Sequence, residues 1–391
     1  MDIRLQDILS VKGFSDLRLI SGKNGMSNLV NDCGLLDYEF VKSLSNRYIY
    51  SNFHKGQLLF SSLMFAKDNP FLIMDAIRHL VDADACGLVI NNVFQIKIPE
   101  TTLRYADAKD FPIFISNGKF FDPVPMIIDI NDYINELKRE DFGDRMISSI
   151  LFDTIPSEEI RTTALKMNPS FTSQICAVYM EKKTDLSVRE YYDAVKNYQK
   201  SPLYNHKNSL YRYRNGFLYL ISSDEITNDR TNDYINDFID LLDPSESCYI
   251  GIGSYHYDLK ELDQAVREAL YAALINRSAS GRSTNYSEMG TYRIILPLID
   301  EPAMIRYSDA LIDPIVEYDS SYKTALLDTL LEYVKADGKI TKLAQDSKVH
   351  ENTIRYRLNQ IEKSTGLNPI KPGDYEQLAI AVKIYICRRL I

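Results

Sequence analysis

From Ile340 to Ser364 the apolar residues fall into two short helical stripes broken by a turn. Ile340, Leu343 and Ala344 share one face of a first helix, and Val349 sits in the turn. Ile354, Leu358 and Ile361 recur at i, i+4 and i+7 on a second helix. Such stripes pack two short helices together, and Ala344 is small enough to let them approach closely. The spacing predicts a helix-turn-helix over 340–364. The outward face of its second helix carries His350, Asn352, Thr353, Arg355, Tyr356 and Arg357. A helix with polar and basic residues at its N-terminal end is what a DNA major groove admits.

The net charge of −9 runs against that reading until its distribution is considered. Residues 330–391 hold 11 Lys/Arg against 7 Asp/Glu, a net of +4, which leaves −13 for the remainder. A mildly basic end on an acidic body suits a regulator whose body has another task. The acidic body also discourages non-specific binding along DNA. At 391 residues the chain is long enough for two to three domains with proper cores. No apolar run approaches the ~20 residues that span a bilayer. The amphipathic start, Met1 to Leu9, lacks a signal peptide's apolar block, so a cytoplasmic protein is expected. Cys33, Cys86, Cys176, Cys248 and Cys387 are scattered and never spaced as C-x-x-C. They are expected to be reduced, buried small hydrophobes and not a disulfide framework or zinc site.

Residues 1–122 alternate strand-like and helix-like stretches. Strands are predicted at 57–62, 86–90 and 111–115, with a helix from Asn69-Pro70 to about Val81 and a short one after Pro99. That order implies parallel pairing and an α/β domain whose strand ends can hold a small ligand. The glycine-rich Ser21 to Gly25 is read as a plain turn, since no Gly-x-Gly-x-x-Gly or Walker loop is present. Asp122 to Pro125 reads as a linker, and residues 123–170 as linker and dimerisation helices; the helical pattern over 131–152, weakened at Gly143, suits either a signalling or dimerisation helix or one that covers the next domain's core. Residues 171–289 follow the order βαββαβα. Ser187 and Glu190 form a capping box, Asn215-Gly216 marks a hairpin between strands 210–214 and 217–221, and Asp258 and Glu261 form a second box. The order implies a ferredoxin-like or nucleotide-cyclase-like α+β palm. Residues 290–391 read as all-helical, ending in an amphipathic helix through Tyr375, Leu378, Ala379, Val382, Tyr385 and Ile386.

The run from Val349 to Leu367 resembles the C-terminal helix-turn-helix of the PucR/CdaR family of bacterial transcriptional regulators, whose pattern is roughly V-H-R-N-T-L-R-Y-R-L-x-x-I-E-x-x-T-G-L. Residues 318–335 look like the same domain's leading segment. Ile250 to Gly253 and Glu268 to Ala273 resemble the family's GGDEF-like middle domain. Residues 30–37 and 55–62 resemble its N-terminal sensor domain. The resemblance implies a ligand-responsive activator of genes for catabolism or transport of a purine, amino acid or similar metabolite. It also implies a Fis-like module whose second helix enters the major groove. Two departures stand out. Glu351 occupies a position where the family usually has Arg, and Ser347-Lys348 replace the usual Leu-Gly. Glu351 either complements the helix dipole or accepts from a cytosine N4.

Arg355 and Arg357, two residues apart, cannot share a helix face, so one is expected on bases and one on phosphate, with Arg355 the better base reader. Thr353 and Asn352 are either DNA contacts or ordinary first-turn and capping residues, and His350 is either the N-cap or a contact. Tyr356 packs either on sugar–phosphate or on the preceding helix. Lys342 and Lys348 are expected to neutralise phosphate. The rival class is a nucleotide-binding or nucleotide-cyclising protein. Its chemistry needs carboxylates to hold metal ions, yet the hairpin 211–218 has none and Glu181 has no second acid beside it. No enzyme activity, metal site or cofactor is therefore expected. The expected partners are double-stranded DNA, a small-molecule effector and further copies of the chain, as a homodimer or higher oligomer, with no membrane. The effector, the target genes and the direction of regulation are not encoded in any motif.

Overall fold

The computed structural model describes residues 3–10, 14, 17–37, 39–40, 53–116, 122–224, 228–278 and 281–391. Among these are two five-stranded mixed sheets and thirteen α-helices. The chain divides into two compact units. One comprises Met1–Ser148, Leu186–Pro202 and Tyr211–Arg214, the other Ser149–Asp185, Leu203–Leu210 and Asn215–Ile391.

The first unit is built on β1 (Leu17–Ser21), β2 (Asp32–Leu35), β3 (Gln57–Ser61), α1 (Leu72–Asp82), β4 (Gly87–Asn91), α2 (Glu100–Ala108) and β5 (Ile113–Ser116). The strand order is β1-β5-β4-β3-β2, with β2 to β5 parallel and β1 antiparallel to β5. The three predicted strands are β3, β4 and β5. Alternate residues serve two cores. Leu59, Leu88, Ile90 and Ile113 meet Ile73, Ile77 and Leu80 of α1. Leu58, Phe60, Val89 and Phe114 meet Ile130, Ile134 and Leu137 of α3 (Pro123–Phe152). Covering both faces is why these strands read as nearly continuous apolar runs.

Asp122 to Pro125, expected as a linker, is instead the start of α3. The Asp122 carboxylate accepts the Val124 N–H at 3.0 Å, and proline is tolerated in a first turn whose N–H groups have no helical acceptor. Gly143 does not interrupt α3, because a side chain there would strike the Tyr211 ring. The Asn131 amide accepts from the Cys33 N–H at 2.8 Å and so covers the exposed edge of β2. Ser21 to Gly25, read as a plain turn, carries the end of β1 through a left-handed Gly22 into a 3-10 turn, Lys23–Ser27. Gly22 and Gly25 press against the backbone of Phe111 and Asp110, and the Asp107 carboxylate accepts the Gly22 N–H at 2.6 Å.

Along the chain, α4 (Ser157–Met167) precedes β6 (Gln174–Lys182), and α5 (Val188–Lys200) carries the predicted Ser187/Glu190 capping box. Then come β7 (Ser209–Tyr213), β8 (Gly216–Ser223), α6 (Asn228–Leu242), β9 (Cys248–Ile252), α7 (Leu262–Asn276) and β10 (Ser283–Asn285). The βαββαβα order through α7 is the one expected, and β10, parallel to β9 at the sheet edge, is an unpredicted addition. The sheet runs β10-β9-β6-β8-β7, with β6 antiparallel to β8 and β9. The second predicted capping box is only half formed. Asp258 accepts the Lys260 N–H at 3.0 Å, but a 3-10 turn, Leu259–Glu261, comes before α7. All five cysteines are free and buried, and burial pushes the Cys86 and Cys176 thiols up to about 12. No helix among the described residues is long and apolar enough to cross a membrane.

Residues 290–391 are helical throughout, as α8 (Tyr292–Ile295), α9 (Pro302–Tyr322), α10 (Leu326–Lys335), α11 (Ile340–Ser347), α12 (Glu351–Thr365) and α13 (Pro372–Leu390).

The Gly-rich strand and Ala-rich helix of the middle region serve one packing purpose. A Cβ at Gly251 would lie 2.1 Å from the Ala269 carbonyl oxygen and the Ala273 nitrogen, so β9 and α7 approach backbone to backbone. Ala265, Ala269, Ala272 and Ala273 are all buried there. Neither wall is a flexible side chain that can swing away. Gly251→Ala is therefore expected to destabilise the protein by about 3 kcal/mol or more, read as a lowered urea midpoint at unchanged slope.

Candidate nucleic-acid interface

The second helix of the predicted helix-turn-helix, α12, is held by its apolar stripe. Ile354, Leu358 and Ile361 are each no more than 1% exposed. They pack in one core with Leu343 of α11, Leu330, Tyr333 and Val334 of α10, Leu378 and Val382 of α13, and Ile312 and Ile315 of α9. Each fully buried aliphatic side chain of this kind contributes about 2 kcal/mol, so α12 is fixed in direction although most of its surface is free. The Asp319 carboxylate starts α10, accepting the Leu326 N–H at 2.8 Å and the Leu327 N–H at 2.9 Å.

The turn between α11 and α12 shows what the Ser347-Lys348 departure does. Lys348 adopts the left-handed conformation at φ 56°, as glycine would. Ser347 Oγ donates back to the Leu343 carbonyl at 2.6 Å, and Val349 stays partly buried against the core. The turn thus keeps its geometry at a cost of about 1 kcal/mol for a non-glycine residue. His350 is the N-cap, its Nδ1 accepting the Asn352 N–H at 3.1 Å. That bond requires the proton of the neutral ring on Nε2, which is left to donate outward.

Asn352, Thr353, Arg355 and Tyr356 are exposed on α12, with Tyr356 at 63%. The Tyr356 ring therefore faces solvent and not the preceding helix. Lys342 and Lys348 are exposed beside them. Glu351 lies in the first turn, favourable at the positive end of the helix dipole, and its Oε2 stands 3.6 Å from Arg355 Nη2. Arg357 is placed differently. It is half-buried, and its Nη1 donates to Thr329 Oγ1 of α10 at 3.1 Å. Asn359 and Lys363 also line the exposed face and were not singled out from the sequence. Their spacing from Asn352 and Tyr356 puts all four on one stripe, a signal that the apolar periodicity already contained.

The second sheet arranges its titratable groups otherwise. Glu181, at the end of β6, does not face open space. Arg277 Nε donates to its Oε2 at 2.9 Å and Nη2 to its Oε1 at 2.5 Å. His256 lies between two carboxylates, Nδ1 at 3.4 Å from Glu261 and Nε2 at 3.3 Å from Glu268. Burial alone lowers the imidazole pKa, but Glu268 and Glu261 outweigh it and hold it above its ordinary range. Burial likewise opposes the Glu268 charge, yet His256 and the Ser254 N–H hold that carboxyl below its ordinary range. No group of three or more His, Cys, Asp or Glu among the described residues is placed to hold a metal ion.

An α/β domain joined to a helix-turn-helix with an open, polar recognition face defines a class of two-part helix-turn-helix proteins. Comparison with known families places the chain within that class. The model of the purine catabolism regulatory protein-like (PucR) family matches residues 7–120, and that of the PucR C-terminal helix-turn-helix domain matches residues 326–384. Two segments of the chain, at its two ends, are thus similar to PucR-family domains. It is 28% identical over 123 residues to the proline-responsive transcriptional activator PutR of Bacillus subtilis, covering 31% of this chain and 30% of that one. It is 21% identical over 122 residues to the DNA-binding transcriptional activator AdeR of Bacillus subtilis, covering 30% and 29%. It is 25% identical over 112 residues to the purine catabolism regulatory protein of Bacillus subtilis, covering 28% and 20%. The chain thus spans less than a third of the length of these relatives.

Two outcomes follow from this geometry. Lys348→Gly relieves the left-handed strain and is expected to raise the unfolding free energy by about 1 kcal/mol, measured by urea denaturation. The His256 cluster carries a pH signature. Stability from a raised imidazole is complete below its ordinary value of 6.5 and is lost as pH rises through the folded value. Stability from the depressed Glu268 is complete above its ordinary 4.5 and is lost as pH falls through the folded value. His256→Gln is therefore expected to destabilise the protein most between pH 4.5 and 6.5, and less as pH rises above that window. Paired urea titrations of both proteins at about pH 5.5 and about pH 8.5 read the difference.

Proposed function

We propose that this protein is a ligand-responsive transcriptional regulator that binds double-stranded DNA through α12. The observation that carries the reading is α12 itself. It is capped by His350, anchored by three buried aliphatic residues, and open along its polar face, within a segment matched to a family's helix-turn-helix domain. Arg355 is the base reader, bidentate to a guanine in the major groove. Asn352, Thr353, Tyr356 and the outward His350 nitrogen contact the flanking backbone or bases. Lys342 and Lys348 neutralise phosphate, and Arg357 braces the helix on α10. Such a helix reads only a few base pairs, so a homodimer or higher oligomer on repeated half-sites is part of the reading.

The domain assignment proposed with it is a sensor domain at 1–122, linking helices at 123–170, a non-catalytic GGDEF-like palm at 171–289 and a DNA-binding domain at 290–391. The strand order around β6 supports the palm. The carboxylate-free hairpin and the engagement of Glu181 by Arg277 support its lack of catalysis. The relatives named as activators, one of them proline-responsive, support activation in response to a small metabolite such as an amino acid or purine. A cytoplasmic location fits a DNA-binding role.

Fluorescence anisotropy with the protein's own upstream intergenic DNA, against scrambled competitor at two salt concentrations, tests the reading. Arg355→Ala is expected to cost about 10- to 100-fold in affinity and to erase discrimination. Lys342→Ala should weaken binding to all sequences alike and lower the salt slope by about one. Equal, salt-sensitive binding of both DNAs by the unmodified protein, unchanged by any added metabolite, would overturn the reading.

A further inference from the structure

The last helix belongs to two cores. Leu378, Ala379, Ala381 and Val382, in the first half of α13, lie in the core under α12. Ile384 and Cys387, at most two turns on, lie in a second core with Ala272 and Ile275 of α7. All six are nearly or fully buried. From Asp374 to Leu390 the helix contains neither glycine nor proline, so nothing along it provides a hinge. The family model that matches the helix-turn-helix ends at 384. The docked turn of α13 thus extends beyond the part shared with that domain.

Arg277 closes this dock. It directly follows α7, and its guanidinium forks onto Glu181 of β6 through two bonds, at 2.9 and 2.5 Å. Its Nη1 donates to the Leu390 carbonyl at 2.5 Å, which satisfies one of the orphan acceptors at the end of α13. One side chain therefore ties the central strand of the sheet, the end of α7 and the end of α13. On the opposite side α13 is held by α9, through Ser308 Oγ to the Ala381 carbonyl at 3.0 Å and Arg388 to Asp309 at 2.5 Å.

We propose that Arg277 is a latch that sets the direction in which the second sheet presents α12 to DNA. With the latch closed, α13 transmits the position of α7 to the recognition helix as a rigid strut. With it open, the end of α13 leaves α7 while the core beneath α12 stays intact. A signal that reaches the second sheet therefore acts on the geometry of DNA engagement through Arg277 and not through the base-reading residues. The DNA part of this inference rests on the proposed function; the dock itself does not.

Hydrogen exchange by mass spectrometry on the full chain tests the dock. Arg277→Ala should speed exchange at 384–390 about tenfold, the loss expected for charge-assisted bonds at a helix end, with α12 unchanged. Glu181→Gln, which leaves the backbone and packing in place, should give a smaller rise at the same residues. If Arg277→Ala loosens the whole unit, the Glu181→Gln pattern decides. Unchanged protection at 384–390 in Glu181→Gln and Arg277→Ala overturns the latch. On DNA, paired half-sites separated by varied spacing are the second arm. The unmodified protein should prefer one spacing, and Arg277→Ala should bind all spacings within about threefold while a single half-site is bound as before. A retained spacing preference, with exchange raised, overturns the coupling to α12. If no DNA is bound at all, the proposed function fails while the exchange result still decides the dock.

Discussion

Leu378 and Val382 complete the core beneath the recognition helix, and Ile384 and Cys387 of the same helix complete the core beside α7. Helix α12 makes no strand pairs and is positioned by burial, with the Arg357–Thr329 hydrogen bond to α10 added at its edge. Its three aliphatic anchors hold only while α10 and α13 stand opposite them. Helix α13 in turn is held at its far end by the close approach of α7 to β9, which Gly251 and the alanines of α7 permit. A glycine in β9 therefore bears on a helix more than a hundred residues further along the chain. The dependence runs through packed backbone, where small changes in volume are felt at a distance.

Charge is laid over this frame with some economy. The body is acidic and the last sixty residues mildly basic, so positive charge gathers on the C-terminal helices. Glu351 tempers it further. Standing 3.6 Å from Arg355 in an exposed pair, it adds little to stability. It does give Arg355, the proposed base reader, an intrahelical partner. Lys348 shows the complementary compromise, a cation kept where the backbone favours glycine. A turn that accepts about 1 kcal/mol of strain for one charge beside the helix is consistent with a surface selected for phosphate.

Much of the frame was legible in the sequence because local chemistry decided it. The 354–358–361 stripe, the Ser187/Glu190 box and the Asn215-Gly216 hairpin each act within a few residues. What escaped was decided by partners far away in sequence. Strand β2 is Asp-Cys-Gly-Leu, short and barely apolar, and is held in the sheet by β3 and by the Asn131 amide. The prolines near 123 read as a linker because proline marks both a break and a first helical turn, and only the apolar residues of α3 against the first sheet decide between them. Among the proposed contacts, exposure of Asn352 and Tyr356 follows from periodicity. The turn of Arg357 toward Thr329 does not. It depends on where α10 lies, which no spacing within α12 specifies.

Glu181 brings these strands of argument together. At the end of a central strand, a lone carboxylate invites a catalytic reading. The geometry gives it a different partner. A guanidinium fork engages both oxygens, pairing a partly buried carboxylate with a fixed positive charge. The same guanidinium then reaches a carbonyl at the end of the helix that shares a core with α12. The Glu181 carboxylate is here spent on fixing one element against another. The carboxylate's charge is thus directed to the packing of α7 against α13, the helix that shares a core with α12.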